Sequence, residues 1–425
     1  MTMEKAFKTA KAALKFVERT PAPQGPTMIG VPFEKRNEVR FGFIGLGGRG
    51  CGQLREMLAV KSALITAVSD PVKAAMQKAR ESVVQAGRPA PAAVADWKKL
   101  CKREDVDVVY ICSPWDAHVP QAVKAMECGK HAAVEVPVAT TLADCWRIVD
   151  TSERTRRHCV ILENCCYGYN ELLALNMVRT GALGAVTHGE AAYIHDLRAI
   201  LLGDRGEGLW RRIPHTLRNG NLYPTHGLGP VARYMDIHRG DRFTRLVSMS
   251  SRPAALQAYR GTHTPAGDHK HTESYTCGDM NSSLLLTEGG RTVLLQHDVV
   301  TPRPYSRMNL VQGTQGTFAD YPPRVFLDGG EGKHAWQPID DFKTRYEHPL
   351  WQEHGETAMK LGGHGGMDFI MNLRLVEAFQ KGQPPDMDVY DAAAWSAPGP
   401  LSDISVAWGS LALPFPDFTR GKWKS

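Results

Sequence analysis

The sequence predicts an α/β chain that opens with a doubly wound parallel sheet and closes with an α+β domain whose sheet is largely antiparallel. Three observations carry this prediction. Short apolar runs alternate with helical stretches over about 125 residues from Val39. One of these runs, Val106–Ser113 (VDVVYICS), is apolar almost without a break, as a strand buried on both faces requires. In the second half the runs pair up instead: Ser282–Thr287 and Thr292–His297 flank Glu288-Gly289-Gly290, a hairpin signal.

Taken in order, the first half reads as follows. Val39–Gly45 is a strand, followed by a glycine-rich turn and a helix around Gly52–Ala59. Ala63–Asp70 is the second strand and Val72–Gln85 the next helix. After Val106–Ser113 a helical pattern runs from about His118 to Cys128. The strand HAAVEV follows, then the helix Leu142–Arg156, then the strand CVILEN ending at Asn164. In the second half Arg242–Ser251, Asn309–Gln312 and Gly316–Tyr321 read as further strands. Helices are expected at Glu171–Arg179, Gly366–Gln380 and about Ala392–Ser410, and loops at Gly261–Lys270 and Gly329–Gly332. The domains are therefore expected at 39–165 and 166–425. Residues 1–38 form an arm, extended from Pro21 by Pro23, Pro26 and Pro32.

Composition narrows the function classes. The 425 residues carry 51 Lys and Arg against 45 Asp and Glu, a net charge of +6 without any long basic run. No nucleic-acid partner is expected on that basis. The nine cysteines include no CxxC pair and are expected to be reduced. No apolar run reaches the roughly 18 residues of a membrane helix. The first twenty residues are basic and amphipathic but lack an apolar signal core. The chain as it stands is expected in the cytoplasm, or in the periplasm or outside the cell if a leader was removed.

Gly45-Leu46-Gly47-Gly48-Arg49-Gly50 fits GxGxxG, follows a predicted strand and opens a helix. Asp70 lies twenty residues beyond Gly50 at the end of the next strand. This is the Rossmann arrangement for a dinucleotide: backbone close to the pyrophosphate, helix N-terminus toward its charge, and an acid for the ribose hydroxyls. An acid there repels a 2′-phosphate, so NAD is the expected cofactor. Trp115, His118, Glu135 and Asn164 fall at or just after successive strand ends, where open α/β sheets bind ligands.

In the second half, Tyr223-Pro224-Thr225-His226 sets a phenol and an imidazole three residues apart, one helical turn. Histidine carries protons near neutral pH, and tyrosine can donate or accept when its surroundings favour it. There is no GxSxG nucleophile and no zinc spacing, so no metal is expected. His263, His269 and His271 are expected on a solvated loop. Gly362-Gly363-His364-Gly365-Gly366-Met367-Asp368 is a second tight polar stretch. It makes His364 a site candidate, while Asp368 could equally be a first-turn helix residue.

The segments CSPWDAH, VEVP, ENCCYG, RNGNLYPTHGLGPV and TPRPYSRMNLVQGTQGTF resemble the Gfo/Idh/MocA oxidoreductase superfamily. Within it they are most similar to the family 109 glycoside hydrolases, NAD-dependent α-N-acetylgalactosaminidases. The resemblance runs from about Val39 onward. It implies that Gly48, Arg49, Asp70, Trp115, Asp116, Ala117, His118, Glu135, Val136 and Asn164 contact NAD, beside Gly45, Gly47 and Gly50 of the loop. It implies that Tyr193, Arg211, Tyr223, Pro224, Thr225, His226 and Tyr305 contact the sugar, with Tyr223 also near the nicotinamide. Many dehydrogenases of the superfamily carry Glu-Lys-Pro where this chain has Glu135-Val136-Pro137, so the customary proton-handling lysine is replaced by valine.

The implied reaction is a redox detour without net redox change. Hydride leaves C3 of the sugar, the C2 proton is removed, the C1 substituent departs, water adds at C1, and hydride returns to C3. His226 is the first candidate for the base, Tyr223 for placing the sugar, and Tyr167 for a second acid/base. The resemblance implies the terminal N-acetylgalactosamine of glycans as substrate, and a homodimer is an expectation from the resemblance alone. An NAD-dependent sugar or inositol dehydrogenase is the alternative.

Overall fold

The structure, a computed structural model, describes residues 7–329 and 334–424. The first six residues of the arm and most of the expected loop Gly329–Gly332 lie outside the described residues. The chain divides into two units. One comprises Pro21–Tyr169 and Pro349–Ala394, and the other Asn170–His348 and Trp395–Ser425 together with residues 7–20 of the arm.

The first unit holds a parallel six-stranded sheet. Its strands are β1 (Val39–Ile44), β2 (Ala63–Ser69), β3 (Ala92–Ala93), β4 (Val108–Ile111), β5 (His131–Val134) and β6 (Cys159–Ile161), in the spatial order β3-β2-β1-β4-β5-β6. Every residue of β4 and β5 is buried, which explains their unbroken apolar composition. The order reverses between β1 and β4, and that reversal places a ligand crevice outside their carboxyl ends. The sequence-predicted strands and helices of this half are all present, though the helix expected near Gly52 begins at Gly48. The two-residue β3 was not anticipated.

The expected division at residue 165 put everything beyond it into one domain and left 1–38 as a separate arm. The observed grouping differs on both points. The helix Met367–Lys381 belongs with the parallel sheet, and its Phe379 stacks on Phe33 of the arm at 3.8 Å between ring centroids. Backbone hydrogen bonds from Phe33 to Gln383 and from Arg36 to Phe379 fix the same contact. Apolar burial therefore recruits residues 349–394 across a long stretch of chain, which sequence adjacency does not reveal.

The second unit holds a nine-stranded mixed sheet among its described residues. In chain order the strands are β7 (Val186–Ile194), β8 (Phe243–Ser250), β9 (Asn281–Thr287), β10 (Thr292–Asp298), β11 (Leu310–Gly313), β12 (Gly316–Ala319), β13 (Arg324–Leu327), β14 (Gln337–Pro338) and β15 (Leu413–Pro414). Their spatial order is β14-β13-β12-β11-β7-β10-β9-β8-β15. All pairs are antiparallel except β7 with β10. The predicted hairpin is β9–β10, with Leu284 opposite Leu294. The helix expected over 392–410 is two helices, Val389–Ser396 and Pro398–Ala407, because Pro398 cannot donate a backbone hydrogen bond and starts the second. The loop expected at Gly261–Lys270 is entered by the helix Ala255–His263, where the His263 ring stacks on Tyr259 at 3.7 Å. No helix among the described residues is long and apolar enough to cross a membrane.

Two buried histidines give the fold a pH dependence. Burial pushes the His158 imidazole down to about 3, with His131 adding to the effect. Burial also pushes His215 down to about 3, with Arg211 adding to it. In the unfolded chain each titrates near 6.5, so between these values the unfolded state binds more protons and stability falls as pH drops. Each is expected to cost about 2 kcal/mol between pH 7 and pH 5. Denaturant unfolding at the two pH values tests this: His158→Gln should lose less stability on acidification than the parent, and an equal loss would contradict it.

Candidate functional site

The glycine-rich turn leaves β1 at Gly45. Its φ is +85°, and a Cβ there would lie 2.7 Å from the Cys112 carbonyl carbon. Gly50 is tighter still, since its Cβ would stand 1.9 Å from the Gly45 carbonyl oxygen. Gly47 and Gly48, by contrast, face open space at the start of the helix Gly48–Leu58. This is a cradle that side chains would fill, and it fits a pyrophosphate on a helix N-terminus. Asp70, at the end of β2, accepts from the Leu46 amide at 2.7 Å and from the Val72 amide at 2.8 Å. Its carboxylate thus tethers the loop, and each oxygen keeps a further lone pair for a ribose hydroxyl.

Three predicted cofactor residues meet in one charged cluster. Arg49 Nε donates to Glu135 Oε1 at 2.6 Å, and its Nη1 donates to Asp368 Oδ2 at 2.8 Å. Asn164 Nδ2 donates to the other oxygen of Asp368, also at 2.8 Å. Burial alone would lower the Arg49 pKa, but Glu135 and Asp368 outweigh it and the guanidinium is held charged. Burial would raise Asp368, yet the hydrogen bond from His364 and the charge of Arg49 hold it well below the usual carboxylate range. Glu135 shifts upward, because its burial exceeds what Arg49 recovers.

The other predicted cofactor positions divide by exposure. Asp116 is exposed and Ala117 half-exposed, in the first turn of the helix Trp115–Glu127, which Trp115 opens as a buried residue. His118 is fully buried, and its ring nitrogens lie 2.7 Å from the Ser113 carbonyl and 2.9 Å from that of Pro137. It braces the loops after β4 and β5, so its side chain is a support for the rim rather than an open ligand. Val136 is 3% exposed, so the position of the absent lysine is a core position here. Tyr167 is buried, and its hydroxyl donates to Asp386 Oδ2 at 3.0 Å, a carboxylate also clamped by Arg374.

The predicted sugar residues gather in the mixed-sheet unit. The helix Thr225–Tyr234 lies directly on β7, where a Cβ on Gly227 would be 2.3 Å from the Ala192 amide nitrogen. This close approach brings Tyr223 and His226 beside Tyr193. Ring centroids of Tyr193 lie 4.7 Å from Tyr223, 5.3 Å from His226 and 6.2 Å from Tyr305. The Tyr223 hydroxyl is 3.4 Å from His226 Nε2. Arg211, paired with Glu207, sets its guanidinium 4.9 Å from the centre of the Tyr223 ring. Pro224 and Thr225 are buried, and Thr225 Oγ1 has no hydrogen-bond partner among the described residues.

Sequence reasoning missed two contributors to this cluster, His195 and Arg307. His195 Nδ1 lies 3.0 Å from the Tyr193 hydroxyl, and burial, then Arg211 and His226, push its pKa down. Arg307 donates to the Tyr305 hydroxyl at 2.8 Å and is ion-paired with buried Glu171. The buried end of β7, Ala191-Ala192-Tyr193-Ile194 running to His195, was the available signal.

A reversing parallel sheet with a glycine cradle and an acid at the end of β2 defines an NAD-binding Rossmann-fold protein of the oxidoreductase type. Residues 39–162 match the family described as "Oxidoreductase family, NAD-binding Rossmann fold", and residues 167–425 match "Glycosyl hydrolase 109, C-terminal domain". The glycosyl hydrolase family 109 protein of Solibacter usitatus is 54% identical over 405 residues, covering 94% of this chain and 92% of its own. That of Streptomyces filamentosus is 49% identical over 422 residues, covering 98% and 84%. The chain belongs to glycoside hydrolase family 109, and its cofactor is NAD. Among solved structures, levoglucosan dehydrogenase in complex with NADH has a TM-score of 0.69 at 16% identity, over 89% of this chain and 100% of that one. Scyllo-inositol dehydrogenase from Lactobacillus casei, with NAD(H) and scyllo-inositol bound, has a TM-score of 0.62 at 13% identity, over 89% and 99%. At such identities the likeness is one of fold.

Proposed function

We propose that this glycoside hydrolase cleaves terminal α-N-acetylgalactosaminides by oxidation at C3, elimination across C1 and C2, addition of water and reduction. The observation that carries the proposal is the Tyr223–His226 pair, set among Tyr193, Tyr305 and Arg211, in a chain whose lysine position is the buried Val136. NAD, when bound, supplies the hydride acceptor at C3 and returns the hydride at the end of the cycle. Gly45, Gly47, Gly48, Gly50 and Asp70 hold it, with Arg49, Glu135 and Asn164 at the rim.

His226 Nε2 takes the proton of the 3-hydroxyl, and the Tyr223 hydroxyl beside it shares that proton. A 3-ketone acidifies the C2 hydrogen, so a modest base suffices to remove it. The Tyr167 hydroxyl, paired with Asp386, is the proposed second proton site, for C2 or the leaving oxygen. Arg211 and Tyr305 bind hydroxyl or acetamido oxygens, and the buried Thr225 hydroxyl offers a further hydrogen bond. Each oxidation is matched by a reduction within one turnover.

The test uses the protein with its own cofactor, no added NAD and an aryl α-N-acetylgalactosaminide. Many turnovers of aryl release without accumulating NADH are expected. NADH that grows in step with sugar consumed would contradict the proposal and favour a sugar or inositol dehydrogenase.

A further inference from the structure

Asp368 lies 204 residues beyond Asn164 in sequence, yet it holds two of the residues assigned to the cofactor rim. The segment that delivers it is built for this approach. His364 has left-handed φ and ψ of 46° and 47°, between Gly362 at φ 80° and Gly365 and Gly366 at φ 68° and 92°. A Cβ on Gly363 would be 2.5 Å from Glu56 Oε1, and one on Gly366 would be 2.7 Å from the Ala358 Cβ. Strained backbone of this kind persists where the surroundings fix it, and it recurs at functional sites.

The hydrogen-bond roles are determined by chemistry. Asp368 accepts only, so His364 Nδ1, at 2.7 Å, carries a proton and donates to it. Arg49 Nη1 is also a donor, so its 3.1 Å approach to the same nitrogen is proximity and not a second bond. Asp368 is 3% exposed and receives three donors: Arg49, Asn164 and His364.

We propose that Asp368, steadied by His364, is a positioning residue for the cofactor rim. It fixes Arg49 and the Asn164 amide, and through Arg49 it holds the Glu135 carboxylate at the end of β5. The inference rests on NAD as the cofactor and not on the sugar specificity. The charged and titratable groups facing Glu135 are Arg49, Asp368, Glu163, Tyr110 and Cys112. Burial raises Glu135, Arg49 opposes this, and Asp368 and Glu163 add to the rise. Removing the Asp368 charge therefore moves Glu135 down.

The experiment is NAD titration by calorimetry of the full chain, freed of cofactor, as Asp368→Asn and Asp368→Ala across a pH series. Thermal melts establish that each variant is folded. Asp368→Asn is expected to weaken NAD binding about tenfold, the order of one charge-assisted hydrogen bond. It should also shift the acidic limb of the binding profile to lower pH. Asp368→Ala, which removes the Asn164 acceptor as well, should weaken binding further. NAD affinity within twofold of the parent with an unmoved limb, in folded variants, overturns the proposal. A lowered melting temperature with unchanged affinity does so too, because the residue would then be structural only.

Discussion

His226→Ala is expected to lower turnover of an aryl α-N-acetylgalactosaminide by about 10²–10⁴-fold, the usual contribution of a placed general base. NAD affinity should stay within about twofold of the parent, because no cofactor-holding role is assigned to the imidazole. His226 sits in the first turn of the helix Thr225–Tyr234, half-exposed, with Nε2 3.4 Å from the Tyr223 hydroxyl. Its neighbours Tyr193 and Tyr223 pack against it edge-on, which fixes the ring. Tyr223→Phe keeps that packing and removes the shared hydroxyl, so it should lower kcat less than the histidine change. Near-normal kcat in His226→Ala would remove the residue from the mechanism.

Gly50→Ala should have the largest effect on the cofactor. One methyl group would stand 1.9 Å from the Gly45 carbonyl oxygen, a distance no atom pair tolerates. Gly45 cannot retreat, because it already lies against the Cys112–Ser113 backbone at the end of β4. The helix must move away from the turn, at a cost of about 1–3 kcal/mol of overpacking strain and with loss of the cradle. NAD affinity is expected to fall at least tenfold. Gly52→Ala is the control: it lies in the same helix with nothing within 4 Å of its Cβ position. That change should raise stability by roughly 0.5–1 kcal/mol through helix propensity alone and leave the cradle intact. Melting curves and NAD titration of both variants check the pair, and retained affinity in Gly50→Ala would contradict the steric account.

What was legible in the sequence was what local physics imposes. The glycine spacing before a helix, the acid ending β2 and the Tyr-x-x-His turn each follow from a constraint within a few residues. Asp368 was legible only as a helix-start residue, because its partners Arg49 and Asn164 are joined to it by folding and not by spacing. The same reason hid the grouping of 349–394 with the parallel sheet, which depends on Phe379 meeting Phe33. β7 escaped notice although it is central to its sheet. His188 and Glu190 interrupt its apolar pattern, and its outward residues are half-exposed. Val136 was legible as a departure from Glu-Lys-Pro, but only its burial makes it a core position.

The proposed hydrolysis passes through oxidation at C3 and loss of the C2 proton. The direct measurement is mass and NMR analysis of N-acetylgalactosamine released from the aryl glycoside in deuterated water by the protein with its own cofactor. Deuterium at C2 and protium retained at C3 are expected, since one hydrogen exchanges with solvent and the other returns as hydride. Release of sugar with protium still at C2 would contradict it.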